Sequence, residues 1–479
     1  MSKNNIIKLV IISAIGLILG FMPIEWIPLA NIDIAQQRML AVFVFTALMW
    51  VFEPVSAWVT SVICMLIITF TVSDGGLTVM REGIAPEHLI SYEKILASFA
   101  DPIIILFLGG FVIAEVASSS GLDKQMASII LKPFGHKSKF ILLGIMLTTA
   151  IISMFVSDSA TSAMMFAMLA PVFKNLPADE KGSAALVIGI PISAVVGGTG
   201  TPIGTPPNAI ALKYLNDPNG LNLGLGFGDW VATIVPCMLV IIFVAWFILL
   251  KLFPFKNKEI NLKIEKSDVK PCDRWKFWTI ICTTILTIIL WMTDTLTGLN
   301  ISIVALIPIV VFSITGIFKA ADIQKLEWSV LWMVAGGFAL GAGMEETGLA
   351  KNIVVSIPFD TMSPALVIIF AGLLCWGLSV FISNTATAAM MMPMMLAIGL
   401  GLGSALTPFG GVTALLVIVA LAASYAVVLP ISTPSNGIAY STGLVSTKQM
   451  ATAGVIIGLF ALTFAIVCMF TIWQYIVLA

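Results

Sequence analysis

Two short polar words interrupt long apolar runs, and each occurs twice. Ser157-Asp158-Ser159-Ala160-Thr161 is echoed by Ser383-Asn384-Thr385-Ala386-Thr387, and Gly204-Thr205-Pro206-Pro207-Asn208 by Ser432-Thr433-Pro434-Ser435-Asn436. Hydroxyls, amides and a carboxyl inside hydrocarbon-like sequence are costly unless they line a cavity or bind something. Where one helix ends and another begins at such a break, the starting helix offers unpaired N–H groups and the ending one unpaired carbonyls. Carbonyls and hydroxyls suit a hard monovalent cation; N–H groups, hydroxyls and amides suit a carboxylate. Neither word contains Lys or Arg, so an anion there would be held by dipoles and hydrogen bonds. A bound cation would supply the missing positive charge and couple the two ligands.

The elements that must position these words are membrane helices. The chain has 479 residues, 59% of them hydrophobic and 10% charged, with mean hydropathy +1.07; a soluble domain carries about 25% charge. Many stretches reach the roughly 20 apolar residues that span a bilayer core. The net charge of −1 offers no basic face for nucleic acid. The first apolar stretch lacks a small-residue cleavage site and reads as a retained helix over residues 1–37. The six cysteines form no CxxC pair, so neither a disulfide framework nor a metal cluster is indicated. No nucleophile–histidine pair, metal cluster or nucleotide loop argues for an enzyme, and no organic cofactor is implied.

Thirteen membrane elements follow from the hydropathy. Two of them, 141–173 and 365–399, carry the Ser words at their midpoints and fit re-entrant hairpins, each entering and leaving on one side. Stretches 184–214 and 411–440 carry the Thr/Ser-Pro words and read as broken helices. With each hairpin counted as no net crossing, eleven transmembrane helices remain. Lys251–Lys276, with seven lysines and Arg274 against four acids, reads as cytoplasmic. The basic segment Lys124–Lys139 agrees with that side, and the acidic segment 73–100 reads as external. The N-terminus then falls inside and the C-terminus outside a plasma (inner) membrane.

The halves also share words beyond the breaks. Gly109-Gly110-Phe111 with Gly121-Leu122 returns as Gly336-Gly337-Phe338 with Gly348-Leu349, and Ser157 returns as Ser383, shifts of 227 and 226. Five crossings separate the copies, so they run in opposite directions: an inverted-topology repeat, a hallmark of secondary transporters. The expected division is residues 38–228 for the first repeat, 229–276 for a linking helix and basic loop, and 277–479 for the second repeat with its C-terminal helix. Serines 153 and 379 each stand four residues before their tip serine, on one helical face.

The Ser-Asn-Thr tip and the Thr-Pro-Pro-Asn break resemble those of the divalent anion/sodium symporter (DASS) family of di- and tricarboxylate transporters, over nearly the whole chain. The resemblance implies an all-α polytopic homodimer in which a transport domain slides past a scaffold, elevator fashion. It implies a first sodium site at Ser153, Ser157, Asp158 and the carbonyl of Gly204. The second would use Ser379, Ser383, Asn384 and the carbonyl of Ser432. Substrate carboxylates, of the succinate, malate, fumarate or citrate class, would meet Ser159, Thr205, Ser383, Asn384, Thr385 and Thr433, with Pro206 and Pro434 shaping the walls. Sodium-independent carboxylate exchange and transport of an inorganic dianion such as sulfate are the alternatives.

The first tip departs from the family word by carrying Asp158 where the second carries Asn384. Four readings are open: a carboxylate holding a cation, a protonated acid donating to the anion, loss of the first sodium site with the protein working as an exchanger, or a helix cap. Glu115, inside the fourth span, has Ala342 as its repeat counterpart and lies outside the duplicated pattern. Glu53, Asp101, Asp294, Glu345 and Glu346 stand at span ends as interfacial or capping residues.

Overall fold

Helix ends in the computed structural model fall at the polar words. It describes residues 2–29, 32–174, 181–217, 220–259, 273–356 and 363–473. Most of the basic loop, residues 260–272 with Cys272, lies outside the described residues.

One-turn helices aside, the first half contains α1 (Lys3–Phe21), α2 (Ile34–Phe52), α3 (Ala57–Val72), α4 (Pro102–Ser120) and the short α5 (Leu122–Leu131). Next come α6 (Ser138–Ser153) and α7 (Asp158–Lys174), then α8 (Lys181–Gly198) and α9 (Pro206–Leu215), then α10 (Phe227–Leu252). The second half repeats the order. Helices α11 (Arg274–Met292) and α12 (Ile301–Ile314) precede α13 (Trp328–Glu346) and the short α14 (Leu349–Ser356). Then α15 (Pro364–Ser379) and α16 (Asn384–Leu402), α17 (Gly411–Ser424) and α18 (Pro434–Ser441), and finally α19 (Thr447–Cys468). Eight helical segments are long and apolar enough to cross a bilayer, and no β-strand occurs among the described residues. The order is that of the eleven-crossing, two-hairpin scheme: α6–α7 and α15–α16 are helical hairpins whose arms pack together, and α8/α9 and α17/α18 are broken helices.

The shared words now have physical reasons. Gly121 and Gly348 both take φ +71°, a left-handed turn that ends α4 and α13 and starts the short helix after each. The Gly-Gly pairs face two ways. A Cβ at Gly109 would stand 2.4 Å from the Ala305 carbonyl oxygen, and one at Gly336 would stand 2.3 Å from Ser61 Cβ, so each first glycine seats α12 or α3 against its helix. Each second glycine faces the opposite group: Gly110 lies against Ile203, and a Cβ at Gly337 would approach Ala389 Cβ to 2.5 Å. Replacing Gly336 by Leu should therefore overpack the α3–α13 seam by about 1–3 kcal/mol. Thermal unfolding in detergent should show a lowered midpoint, while Gly377→Ala, with nothing within 4 Å of its new Cβ, leaves it unchanged.

Packing sorts the helices. Helices α1–α3 pack in series, α3 lies along α13, and α4 is flanked by α12. The hairpins surround the broken helices: α8 packs on α6, α7 and α10, while α17 packs on α15, α16 and α19. Between repeats the pairing is crosswise. The tip helix α7 packs on α18, and the tip helix α16 packs on α9. Helix α8 is buried apart from Lys181 and α17 apart from its first two residues, while α1 faces outward.

Candidate functional site

At the first tip α6 ends at Ser153 and α7 begins at Asp158. The Ser153 hydroxyl donates to Asp158 Oδ1 at 3.0 Å. At the second tip the Ser379 hydroxyl stands the same 3.0 Å from Asn384 Oδ1, its single proton divided between that oxygen and the Ala423 carbonyl at 2.6 Å. The Asp158 carboxyl oxygen thus stands where the other repeat has an amide oxygen. The helices end at Ser153 and Ser379 themselves, so these serines share no helical face with Ser157 and Ser383; each instead bonds the residue five positions on, across the break.

Helix capping at the tips is done by serine. The Ser157 hydroxyl accepts from the Ala160 N–H at 3.4 Å, and the Ser383 hydroxyl from the Ala386 N–H at 3.3 Å. Among the bonds described at the first tip, the Asp158 carboxyl receives the Ser153 hydroxyl and the cap comes from Ser157, so its carboxyl is turned to the interior.

The broken helices close around the tips. A Cβ built on Gly198, the last residue of α8, would lie 2.4 Å from Asp158 Oδ1 and 3.1 Å from the Gly204 carbonyl oxygen. Two of the expected first-site oxygens therefore face one point above a bare glycine. That space is too tight for a methyl group, so only glycine at the end of α8 lets the Asp158 carboxyl and the Gly204 carbonyl approach it this closely. Three terminal carbonyls of the break (Gly198, Thr199 and Thr201) accept from Asn208 Nδ2 at 2.8–3.2 Å. Asn436 Nδ2 does the same for Leu429 at 2.8 Å. In both asparagines the amide oxygen is buried without a hydrogen-bond donor.

Each hairpin is tied to its own break by a hydroxyl: Thr201 donates to the Met154 carbonyl, and Ser432 to the Val380 carbonyl at 2.6 Å. Met154 and Val380 are repeat equivalents, whereas Thr201 and Ser432 are not. Thr205 and Thr433 begin α9 and α18 and are buried, and Thr433 caps α18 through the Asn436 N–H at 3.1 Å. Asn384 and Thr385 are also buried, while Ser157, Asp158 and Ser159 are half-buried, Pro206 is half-buried and Pro434 exposed. Asn384 and Thr385 are thus covered where Asp158 and Ser159 are not, while both tip serines, Ser157 and Ser383, are half-buried.

The first tip opens on a polar cavity of about 110 Å³ lined by Ser157, Thr161, Glu115, Asp123, Lys325 and Glu327. Glu115 thereby finds its role: it pairs with Lys325 Nζ at 3.1 Å, which also meets Asp322 at 2.6 Å. In that loop the Lys325 ammonium holds the Asp322 carboxyl below the usual carboxylate range. Glu327, absent from the residues singled out in the sequence, accepts the Ser157 hydroxyl at 2.6 Å. The shift of 227 shared by the Gly-Gly-Phe words sets Asp101 against Trp328, so the sequence words did not reveal it; the structure relates Glu327 to Asp101 as the residue just before each of these helices. Asp101 caps α4 through the Ile103 N–H at 2.9 Å and pairs with Lys213 at 2.9 Å. Glu346 pairs with Lys94, and Asp294 accepts from the Phe227 N–H at 2.8 Å. Among the described residues no group of His, Cys, Asp and Glu could hold a metal ion as a cluster.

Residues 3–479 match the family described as the sodium:sulfate symporter transmembrane region. The chain belongs to this family. Relatives near it in sequence include an uncharacterized transporter of Haemophilus influenzae, 29% identical over 95% of this chain and 94% of its own length. The sodium-dependent dicarboxylate transporter SdcS of Staphylococcus aureus (strain USA300) is 27% identical over 87% of this chain and 82% of its own. An uncharacterized transporter of Schizosaccharomyces pombe is 31% identical over 76% of this chain, which spans only 41% of that longer protein. Among solved structures, the Alcanivorax borkumensis YdaH transporter superposes with TM-score 0.54 at 14% identity, covering 80% of this chain and 87% of that one. Neisseria gonorrhoeae MtrF gives 0.53 at 12%, covering 88% and 95%. These two show a shared fold. The sodium:sulfate symporter family member described here is a multi-pass membrane transporter, not an enzyme.

Proposed function

We propose that this protein carries a small dicarboxylate or tricarboxylate across the plasma membrane in symport with sodium. The observation that supports this most directly is the matched pair of tips. Each places a serine hydroxyl against a side-chain oxygen at 3.0 Å beside a broken helix whose carbonyls lack helical partners. The first cation site comprises Ser153, Ser157, Asp158 and the Gly204 carbonyl. The second comprises Ser379, Ser383, Asn384 and the Ser432 carbonyl. The anion lies between the tips, against Ser159, Thr205, Pro206, Ser383, Asn384, Thr385, Thr433 and Pro434.

Asp158 works as a carboxylate whose charge the cation neutralises before the anion arrives. The SdcS relative, named a sodium-dependent dicarboxylate transporter, supports the same substrate class and ion. Crosswise packing makes hairpins and broken helices one body, which moves past α1–α4 and α11–α13, elevator fashion, in a homodimer. Repeat boundaries are those read from the sequence, with the N-terminus cytoplasmic and the C-terminus external.

Uptake of labelled succinate, malate, citrate and sulfate into proteoliposomes tests this, with and without a sodium gradient and with internal carboxylate. Carboxylate uptake driven by sodium alone is the expected result. Uptake that ignores sodium and requires internal carboxylate would establish exchange instead, and preference for sulfate would replace the substrate.

A further inference from the structure

Glu327 belongs to neither tip nor break. It stands immediately before α13 and, unlike its counterpart Asp101, makes no capping bond with its helix. Its carboxylate instead reaches a residue 170 positions away, accepting the Ser157 hydroxyl at 2.6 Å. A hydroxyl has one proton and two acceptor directions. With the proton committed to Glu327 in a short charge-assisted bond, the lone pairs of Ser157 turn away from Glu327. One accepts from the Ala160 N–H, which leaves the other available on the tip next to Asp158, whose carboxyl and the Gly204 carbonyl both approach Gly198. The charged groups around Glu327 are Asp158 on the tip, Glu115 and Asp123 on the far wall of the cavity, and Lys325 on its own loop. Lys325 is committed to Glu115 and Asp322.

The repeat supplies a second, independent observation. Asp101, 226 residues earlier, stands before α4 as Glu327 stands before α13. The residue equivalent to Ser157 is Ser383, and it does not meet Asp101 here. Its hydroxyl lies 3.9 Å from Met333 Sδ on α13, and Asp101 pairs with Lys213 of α9, whose ammonium also sits 3.7 Å over the Phe338 ring. The two tips thus lean on one helix, α13, at unequal depths. Inverted repeats trade conformations between the two transport states.

Resting on the sodium-carrier reading above, we propose that Glu327 is a positioning residue for the first cation site. It holds the Ser157 hydroxyl in cation-binding orientation in this state. In the opposite state it releases Ser157, and Asp101 takes the Ser383 hydroxyl in its place.

Two arms test this. The first measures initial uptake of labelled succinate against sodium concentration for wild type, E327A, E327Q, S157A and the double variant S157A/E327A. Partners behind a metal ligand typically change affinity about 10–100-fold. E327A should raise the half-saturating sodium concentration about tenfold with little change in maximal rate. E327Q, whose amide oxygen still accepts the hydroxyl, should recover most of that loss, and S157A/E327A should be no worse than S157A. Unchanged sodium half-saturation in E327A and E327Q, or additive effects in the double variant, would overturn the positioning role.

The second arm oxidises two cysteine pairs in membranes while the protein cycles. Both S157C/E327C and S383C/D101C should cross-link, although only the first pair is adjacent here. Cross-linking of the first pair alone would overturn the exchange of partners. Sodium-independent uptake by wild type would instead defeat the carrier reading, and the cross-link arm reads the exchange of partners independently of it.

Discussion

Asn384→Ala should reduce carboxylate uptake by about tenfold to hundredfold while leaving the protein folded. Its side chain is buried and accepts the Ser379 hydroxyl, and its backbone begins α16. In the proposed site one amide serves two ligands, its oxygen facing the second cation and its N–H groups facing the anion. Leaving such partners unmatched in a buried site costs about 1–3 kcal/mol, which is the range of rate or affinity quoted. Folding should survive because the Ser383 hydroxyl still caps α16 and Ser379 still has the Ala423 carbonyl at 2.6 Å. Uptake into proteoliposomes, with detergent chromatography as the folding control, measures both. Near-normal uptake by Asn384→Ala would refute the site.

Asp158→Asn should have the opposite character: anion binding that no longer waits for sodium. An ionised carboxylate about 4 Å from a substrate carboxylate, at an effective dielectric of about 20, opposes it by about 4 kcal/mol. That corresponds to an affinity difference on the order of a thousandfold. In wild type this repulsion vanishes only when the cation is seated, so succinate should bind measurably with sodium and hardly at all without it. Asparagine removes the repulsion and gives the first tip the Ser-Asn word of the second. Calorimetric titration with succinate, with and without sodium, should show a large sodium effect in wild type and a small one in Asp158→Asn. Linkage requires the reciprocal result, that succinate loses its effect on sodium affinity. Gly198→Ala provides a second approach, since its Cβ at 2.4 Å from Asp158 Oδ1 must displace the carboxylate. It should weaken sodium binding with the acid still present. Equal sodium dependence in wild type and Asp158→Asn would leave Asp158 a structural role only.

The architecture was legible because its signals are local. A membrane helix is written in consecutive residues, a broken one in the Pro, Ser and Gly that interrupt it, and an inverted repeat in words at a fixed shift. The helix pairs Ser138–Ser153 and Pro364–Ser379 begin and end at that shift of 226. The bonds from Ser153 and Ser379 were not legible in that way, because each helix ends at its serine and the bond crosses the break to Asp158 or Asn384 instead of following a helical face. What stayed hidden involves distant partners. Glu115 looked anomalous until Lys325 was beside it, and Glu327 looked like a loop acid until Ser157 reached it. Asp158 as a cap was a reasonable reading of the sequence, and local geometry gave the cap to Ser157 instead. The tethers Thr201 and Ser432 sit at different places in their breaks, because the linkers between α8 and α9 and between α17 and α18 differ in length. A fixed shift could not align them.

The crosswise packing of α7 on α18 and of α16 on α9 also bears on how the chain can be divided. The sequence parts cleanly at the basic loop, and the duplication suggests two modules of similar standing. Yet each module lends its tip helix to the other and borrows a broken-helix segment in return. A half expressed alone would expose both the lent face and the empty berth to lipid, with polar breaks unfilled. The two halves are therefore interlocked like the links of a chain: co-synthesised pieces could assemble, whereas a solitary half has no complete interior to fold around.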